Sequence, residues 1–173
     1  MTEIGLKFEI TPSRFKEKED GMKPRELALY NAKSKADEVA RRYKNAIVIG
    51  VDTIGVIKGK ILGKPKDKKH ALELLKALSG TKHKVISGIC VINTAKNIMI
   101  TDFEETIVEI DKLTPAQIKS YLATGEGSDK AAGYAIQGRG AIYIKGIQGD
   151  YFNVVGLPIY KLAKILAKLG VKW

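Results

Sequence analysis

Residues 47–53 read IVIGVDT, an apolar run that ends in an aspartate and a threonine. A continuous apolar run of this kind is typical of a strand that is buried on both faces. Asp52 follows the run directly, and ligands in open α/β sheets bind in the crevice at the carboxyl ends of such strands. A carboxylate there can hold Mg²⁺ or orient a water molecule; the alternative is a turn-capping aspartate. With Thr53 beside it and a lysine-containing turn nearby, we favour the functional interpretation of Asp52.

Downstream of this run, the sequence predicts an alternation of strands, helices and turns. Apolar runs predict further strands at residues 54–57, 83–92, 98–110 and 141–145, the middle two joined as a hairpin. Capping residues and helical periodicity predict helices at residues 67–80, 114–123 and 159–170. A glycine-rich structured loop is predicted at residues 125–140, and residues 151–158 read as irregular. Long hairpin strands beside helices indicate a mixed α/β or α+β fold.

Upstream of the run, residues 6–10 read as a short strand, and residues 24–42 read as a helix with a proline in its first turn. The helix carries an alanine-rich apolar stripe, and Lys35 falls on that stripe. A lysine in such a place is more often a snorkelling side chain at the edge of a core than an ammonium directed at an anion. Spacing alone therefore favours the structural interpretation of Lys35.

The composition is that of an ordinary globular protein. We expect one domain covering residues 1–173, since 45% hydrophobic and 28% charged residues suffice for a core and exclude a disordered tail. The net charge of +11 favours anionic partners such as nucleotides, nucleic acid or a membrane surface, but scattered lysines equally suit a thermally adapted surface. No run is long enough to span a bilayer, and residues 1–5 lack signal-peptide features. Cys90 is the single cysteine, which excludes a disulfide framework and fits a reducing cytoplasm.

The sequence lacks the motifs of several kinds of catalytic chemistry. One cysteine and two histidines offer no zinc-ligand spacing, and neither a Walker-type lysine motif nor a Gly-x-Ser-x-Gly elbow occurs. The remaining carboxylates and lysines suit magnesium-assisted attack on a phosphate. Lys64, between a glycine and a proline, suits a phosphate contact, although exposed loop lysines are common. Residues 137–140, QGRG, can present the Gln137 amide, the Arg139 guanidinium and backbone N–H groups to a base edge or an oxyanion.

Seven segments, taken together, resemble those of the Maf family of nucleoside triphosphate pyrophosphatases. They are, in chain order, LKFEITPS (6–13), AKSKA (32–36), VIGVDT (48–53), ILGKPKD (61–67), LSGTKHKVISG (78–88), DKAAGYAIQGRG (129–140) and GDYFNVVGLP (149–158). The resemblance implies an α/β fold related to inosine triphosphate pyrophosphatases, with an elongated mixed sheet and two lobes flanking a cleft. It also implies hydrolysis of a nucleoside triphosphate to the monophosphate and pyrophosphate, with Mg²⁺ or Mn²⁺ as the cofactor, in a homodimer.

Carried over position by position, the resemblance implies catalytic roles for four residues. Glu17 and Asp52 correspond to the acidic residues that hold the cation, and Asp52 also to the one that orients the attacking water. Lys35 and Lys64 correspond to lysines that offset charge on the triphosphate, which reverses the interpretation of Lys35 from spacing alone.

Substrate recognition is implied for Thr53, next to Asp52, and for residues of the segment 129–140. Thr53 and Gln137 match the subgroup that acts on dTTP, UTP and similar pyrimidine nucleotides. Arg139, two residues after Gln137, is predicted to contact the substrate as well.

The chain departs from the family pattern at its start. Family members begin with a strand and a Ser-x-Ser-Pro-Arg-Arg-like loop that contacts the triphosphate, whereas this chain opens at the position of the following strand. One hypothesis is an active enzyme whose start lies upstream, or in which Arg14, Lys16 or a partner subunit replaces those arginines. Another is a truncated nucleotide-binding relative with impaired catalysis. A basic nucleic-acid-binding protein ranks below both, because the sequence lacks aromatic stacking platforms and a known recognition motif.

Overall fold

The structure is a computed structural model, and it describes residues 5–171. The expectation that residues 1–5 lack signal-peptide features falls largely on residues 1–4, which lie outside the described residues. The helices are α1 (Pro24–Ala40), α2 (Lys68–Leu78), α3 (Pro115–Thr124), α4 (Tyr151–Val155) and α5 (Ile159–Lys168). The strands are β1 (Ile47–Ile57), β2 (Lys60–Leu62), β3 (Lys82–Asn93), β4 (Ile98–Ile110) and β5 (Ile144–Gln148). Two 3-10 turns occupy Ala131–Gly133 and Gly138–Tyr143.

The strands form one sheet in the order β2-β1-β3-β4-β5. Each neighbouring pair is antiparallel, so the sheet in the described residues is antiparallel where a mixed one was expected. The predicted hairpin is confirmed, since β3 and β4 pair from Asn93 opposite Ile98 to Lys82 opposite Glu109. The mixed α/β fold class is therefore confirmed, with long antiparallel strands beside five helices.

β1 is one long strand, and the prediction of a strand ending at Asp52 with a second strand after it was wrong. Residues 54–56 continue the same ladder with β3, so the backbone does not turn after Thr53. Asp52 lies in the middle of the strand, opposite Gly88. Because the sheet is antiparallel, the rule about the carboxyl ends of parallel strands does not explain the position of Asp52.

Three further predictions about local structure were wrong. Residues 6–10 form no strand, since their backbone joins no ladder among residues 5–171, and a strand exists only through its partner. β5 begins at Ile144 and continues to Gln148, because a 3-10 turn takes up most of the segment predicted to be strand. Residues 151–155 form a short helix, which Asp150 caps by accepting a hydrogen bond from the Phe152 N–H.

The helix caps read from the sequence are present. Asp67 accepts a hydrogen bond from the His70 N–H at 2.7 Å at the start of α2. Thr114 and Gln117 form a reciprocal capping box at the start of α3. Both caps depend only on residues three apart, so sequence spacing was sufficient to predict them.

Helices cover both faces of the sheet. α1 packs on one face through an alanine-rich cluster, and α2, α3 and α5 pack on the other through larger apolar side chains. α1 lies very close to the sheet at Gly50 and Gly88. A Cβ at either position would collide with backbone atoms of α1, so only glycine allows this approach. This close approach brings the polar side chains of α1 within hydrogen-bond reach of β1. No helix in the described part of the chain is long and apolar enough to cross a membrane.

Candidate active site

An open cleft of about 740 Å³ lies between α1, the middle of β1, the turn after β2 and the loops that precede β5 and follow α4. It brings together the sequence-predicted site residues Glu17, Lys35, Asp52, Thr53, Lys64 and Gln137. Arg139 does not line the cleft, and neither Arg14 nor Lys16 does so. These side chains come from segments far apart in the sequence, so only the fold places them at one site.

Asp52 is held by two side chains of α1. Its carboxylate is 6% exposed, and Lys35 donates to its Oδ1 at 2.7 Å. Asn31, one helical turn before Lys35, donates from Nδ2 to the Oδ2 of Asp52 at 3.2 Å. Both oxygens of a nearly buried carboxylate are therefore engaged, which fixes its orientation.

The Lys35 ammonium bridges two carboxylates. Besides Asp52, it contacts the Oε1 of Glu17 at 2.5 Å, and it lies 3.4 Å from the Val51 carbonyl oxygen. Glu17 and Asp52 thus face each other across a single positive charge. This arrangement concentrates negative charge beside a cation, in a place where a polyphosphate and its counter-cation could enter from the cleft.

Asn31 is a site residue that the sequence analysis missed. Its Oδ1 accepts a hydrogen bond from the Lys18 N–H at 3.0 Å, and its Nδ2 donates to the Lys18 carbonyl at 2.9 Å. Asn31 therefore fixes the backbone next to Glu17 while it also contacts Asp52. The available signal was an asparagine beside the alanine stripe, one turn before Lys35. Asn31 is 2% exposed, and both its Oδ1 and its Nδ2 are hydrogen-bonded.

The charges at the site stabilise one another. Burial would raise the pKa of the Glu17 carboxyl, but the hydrogen bond and charge of Lys35, with the charge of Lys64, hold that pKa below its ordinary value. Burial would lower the pKa of Lys35, but its hydrogen bonds to Asp52 and Glu17 raise it above the ordinary value. Lys35 is therefore a fixed ammonium at neutral pH, and Glu17 is a carboxylate.

Lys64 lies on the turn after β2, close enough for its charge to act on Glu17 and on Asp129. The turn is tied to the 3-10 turn that follows Lys130, because the Gly63 carbonyl accepts a hydrogen bond from the Ala132 N–H at 3.0 Å. The Lys64 side chain lines the same cleft as Lys35. It adds a second positive charge to the site.

Thr53 enters the cleft from the other face of β1. Neighbouring side chains on a strand point to opposite faces, so Asp52 faces α1 while Thr53 contacts Ser87 at 2.7 Å between the two Oγ atoms. Both line the cleft, which consequently extends round the edge of β1. Gln137 lies in the same cleft on the loop before β5.

The residues that follow Gln137 are hydrogen-bonded to a side chain outside the cleft. Glu126 accepts hydrogen bonds from the backbone N–H groups of Arg139 and Gly140. These N–H groups are therefore engaged by a carboxylate of the protein itself. The Arg139 side chain does not line the cleft, and its contact with the substrate stays a prediction.

A buried pair, His83 and Tyr134, fastens the loop that forms one wall of the cleft to β3. The His83 Nε2 and the Tyr134 Oη are 2.8 Å apart, and the His83 Nδ1 has no hydrogen-bond partner among the described residues. Burial lowers the pKa of His83 from 6.5 to about 4. His83 is therefore neutral in the folded protein at physiological pH.

The free energy of unfolding is expected to fall as the pH is lowered from about 6.5 towards 4. In that window the unfolded chain protonates His83 and the folded protein does not, so protonation favours unfolding by on the order of 3 kcal/mol at most. His83→Gln keeps a polar partner for Tyr134 but cannot titrate. Urea unfolding at a series of pH values should therefore show a shallower pH dependence for His83→Gln than for the wild type. Parallel curves would contradict a neutral buried His83.

A divalent cation at this site would have two protein ligands. No cluster of three or more His, Cys, Asp or Glu side chains in residues 5–171 is arranged to hold a metal ion by itself. Glu17 and Asp52 nevertheless offer hard carboxylate oxygens on either side of one ammonium. Mg²⁺ is commonly bound by one or two carboxylates together with substrate phosphates and water. The residues present therefore fit a cation that arrives with a polyphosphate.

Comparison with known proteins identifies a family and named relatives. A sequence model of the family described as Maf-like protein matches residues 1–169. A protein of Thermoanaerobacter sp. (strain X514) named dTTP/UTP pyrophosphatase is 47% identical over 169 residues, which are 97% of this chain and 88% of the relative. A protein of the same name from Methanosarcina barkeri is 42% identical, over 97% of this chain and 86% of the relative. A third, from Clostridium novyi, is 50% identical over 81% of this chain and 74% of the relative.

Proposed function

We propose, on the premise that this chain belongs to the Maf-like protein family, that it hydrolyses nucleoside triphosphates to the nucleoside monophosphate and pyrophosphate. Relatives at 42–47% identity over nearly the whole chain carry the name dTTP/UTP pyrophosphatase. Nucleotides with uracil or thymine are accordingly the proposed substrates. We treat the chain as one Maf-like domain, because the family match extends over residues 1–169.

The observation that carries this proposal is the bridge of Glu17, Lys35 and Asp52, with Lys64 lining the same cleft. Cleavage between the α- and β-phosphates needs a positioned water and positive charge near the leaving pyrophosphate. A buried carboxylate and two lysines are groups of the required kinds. Their meeting in one cleft supports phosphoanhydride hydrolysis better than nucleic-acid binding, which would need stacking side chains along a groove.

Each group has a separate proposed role. Asp52 accepts a hydrogen bond from the attacking water and orients it towards the α-phosphate, and Asn31 keeps the carboxylate in position. The Lys35 ammonium, which is partly buried, turns from a bridge between carboxylates towards the phosphate oxygens. Lys64 approaches the same triphosphate and offsets the charge that grows on the leaving pyrophosphate.

A divalent cation, Mg²⁺ or Mn²⁺, is part of the proposal. Glu17 and Asp52 would hold it together with the triphosphate, and it would supply further charge neutralisation of the phosphate oxygens. Thr53 and Gln137 would contact the base. Arg139 is left out, because it does not line the cleft.

Other parts of the proposal concern the protein as a whole. We propose a homodimer, which sedimentation or light scattering would test directly. A reducing cytoplasm is the proposed compartment, since the single thiol, Cys90, is buried and unsuited to disulfide formation.

The proposal is tested by pyrophosphate release from a panel of nucleoside triphosphates in the presence of Mg²⁺. We expect turnover of dTTP and UTP to exceed that of dCTP, CTP and the purine nucleotides, and EDTA to abolish it. Tight nucleotide binding without turnover would instead support the hypothesis of a catalytically impaired relative. Salt-sensitive retention on DNA that nucleotides do not change would support the nucleic-acid hypothesis.

A further inference from the structure

A pair of hydrogen-bonded hydroxyl groups, Thr53 and Ser87, lies at the cleft. Thr53 Oγ1 and Ser87 Oγ are 2.7 Å apart. Two backbone carbonyls stand behind them: Asn153 O lies 3.4 Å from the Ser87 hydroxyl, and Gly156 O lies 3.4 Å from the Thr53 hydroxyl. Ser87 is fully buried, whereas Thr53 is half-buried and lines the cleft. Only the Thr53 hydroxyl can therefore meet a ligand.

Two arrangements use both hydroxyl protons within the protein. In one, Thr53 donates to Ser87 and Ser87 donates to the Asn153 carbonyl. In the other, Ser87 donates to Thr53 and Thr53 donates to the Gly156 carbonyl. A hydroxyl has one proton and two lone pairs, and in both arrangements the Thr53 proton is directed at a protein acceptor. In these two arrangements the Thr53 oxygen presents a lone pair to the cleft, and donation to a ligand instead would give up the contact of the Thr53 hydroxyl with Ser87 or with the Gly156 carbonyl.

The two carbonyls are held in place by a buried side chain. Asn153 is fully buried, and its Nδ2 donates to the Val85 carbonyl and to Thr106 Oγ1, at 3.0 Å each. Thr106 Oγ1 in turn donates to the Asp150 carbonyl at 2.9 Å. These bonds fasten α4 to β3 and β4, and thus fix the acceptors behind Ser87 and Thr53. Turning the Thr53 proton into the cleft would therefore give up a part-buried hydrogen bond to Ser87 or to the Gly156 carbonyl, which is unfavourable.

A hydroxyl that accepts a hydrogen bond distinguishes uracil and thymine from cytosine. At ring position N3, uracil and thymine carry an N–H donor, whereas cytosine has a bare acceptor nitrogen. An acceptor-only hydroxyl pairs with the first and opposes the second. Gln137, in the same cleft, has an amide that can donate to a ring carbonyl.

We propose that Ser87 is a positioning residue for base selection: it keeps the Thr53 hydroxyl an acceptor, which favours the imide N–H of uracil and thymine over the N3 of cytosine. This inference rests on the proposed function, since it concerns the base of the same substrates. Ser87 acts only through Thr53, because it is itself fully buried.

The test compares kcat/KM for UTP and CTP, which differ only at ring positions 3 and 4. Ser87→Ala removes one partner of Thr53 and leaves its hydroxyl free to rotate and to donate to cytosine. We expect the UTP-to-CTP ratio to fall by about tenfold, the value of one hydrogen bond of about 1.4 kcal/mol. Most of the change should be a rise in the rate with CTP. Ser120→Ala, the same substitution on the exposed face of α3, should leave both rates unchanged.

A double-mutant cycle separates this role from a structural one. In a Thr53→Val background, Ser87→Ala should not change the ratio further, whereas Thr53→Ser, which keeps the hydroxyl, should preserve the wild-type ratio. The proposal is overturned if Ser87→Ala lowers kcat/KM for UTP and for CTP equally. It is also overturned if Ser87→Ala changes the UTP-to-CTP ratio by the same factor in the Thr53→Val background as in the wild type. Thr53→Val and Thr53→Ser provide the comparison if Ser87→Ala does not fold: equal ratios in these two variants would also overturn it.

A binding measurement keeps this inference distinct from the proposed function. Calorimetric Kd values for UMP and CMP report the same base preference without turnover. If the wild type hydrolyses no triphosphate, the proposed function fails, and the UMP-to-CMP ratio of wild type and Ser87→Ala still decides this inference. Equal ratios in the two proteins would overturn it.

Discussion

Asp52→Asn is expected to lower kcat/KM for UTP by roughly 10³-fold while the protein remains folded. The amide has the shape of the carboxylate, but it has no charge to orient a water molecule or to help hold a divalent cation. Loss of a positioned acid–base group commonly costs about 10²–10⁴-fold in rate. The charge that holds Lys35 between two carboxylates is also reduced, since only Glu17 would remain. Pyrophosphate release at saturating and limiting UTP would measure both kcat and kcat/KM.

The control for this substitution is Asp37→Asn, on the same protein but outside the cleft. Asp37 lies on α1 and pairs with Arg41 one turn later at the surface. Such an exposed pair contributes little to stability, so activity and melting temperature should be close to those of the wild type. Full activity in Asp52→Asn would remove Asp52 from the proposed mechanism.

Lys35→Met is expected to lower kcat/KM by about 10²–10³-fold, through loss of a cation that offsets phosphate charge. It should also strengthen the binding of Mg²⁺ to the nucleotide-free protein. In the wild type, the ammonium lies between Glu17 and Asp52, at 2.5 and 2.7 Å from their oxygens. A divalent cation must therefore share those oxygens with it. Without the ammonium, the two carboxylates repel each other, and a cation between them relieves that repulsion.

Thermal unfolding with and without Mg²⁺ measures this second effect. The increase in melting temperature caused by Mg²⁺ should be larger for Lys35→Met than for the wild type, because a ligand that binds the folded state more tightly stabilises it more. Lys33→Met, on the exposed side of α1, should behave like the wild type in both assays. An equal or smaller Mg²⁺ effect in Lys35→Met would contradict a cation site shared by Glu17 and Asp52.

The features that sequence patterns predicted correctly are local ones. The cap at Asp67, the box of Thr114 and Gln117, and the β3–β4 hairpin each depend on residues that are close in the chain. Their energetics are determined by neighbours a few positions away, so spacing and residue type suffice. The charged residues that the family resemblance singled out, Glu17, Lys35, Asp52 and Lys64, line one cleft, and their catalytic roles stay predictions.

The wrong predictions concern features that depend on a distant partner. Residues 6–10 have the alternation of a strand, but a strand forms only where a neighbouring backbone supplies its hydrogen bonds. Asp52 lies in mid-strand because β3 continues to pair beyond Thr53, which no local signal in residues 47–53 reveals. Arg139 is a different case: it does not line the cleft, but its contact with the substrate stays a prediction.

From the amino-acid sequence alone, the fold class, most helices and the kinds of chemical group available could be read, since these follow from periodicity, capping and residue type. Three contacts could not be read from the sequence. They are the bridge of Lys35 between Glu17 and Asp52, the hydrogen bonds of Asn31 to Asp52 and to the Lys18 backbone, and the hydrogen bond of the Thr53 hydroxyl to Ser87. Each depends on a contact across the packing of α1 on β1, or of β3 on α4. Those contacts exist because Gly50 and Gly88 allow α1 to approach closely and because Asn153 fastens α4 to the sheet. Hydrogen bonds change strength within a fraction of an ångström, so such contacts are specified only once the chain is packed.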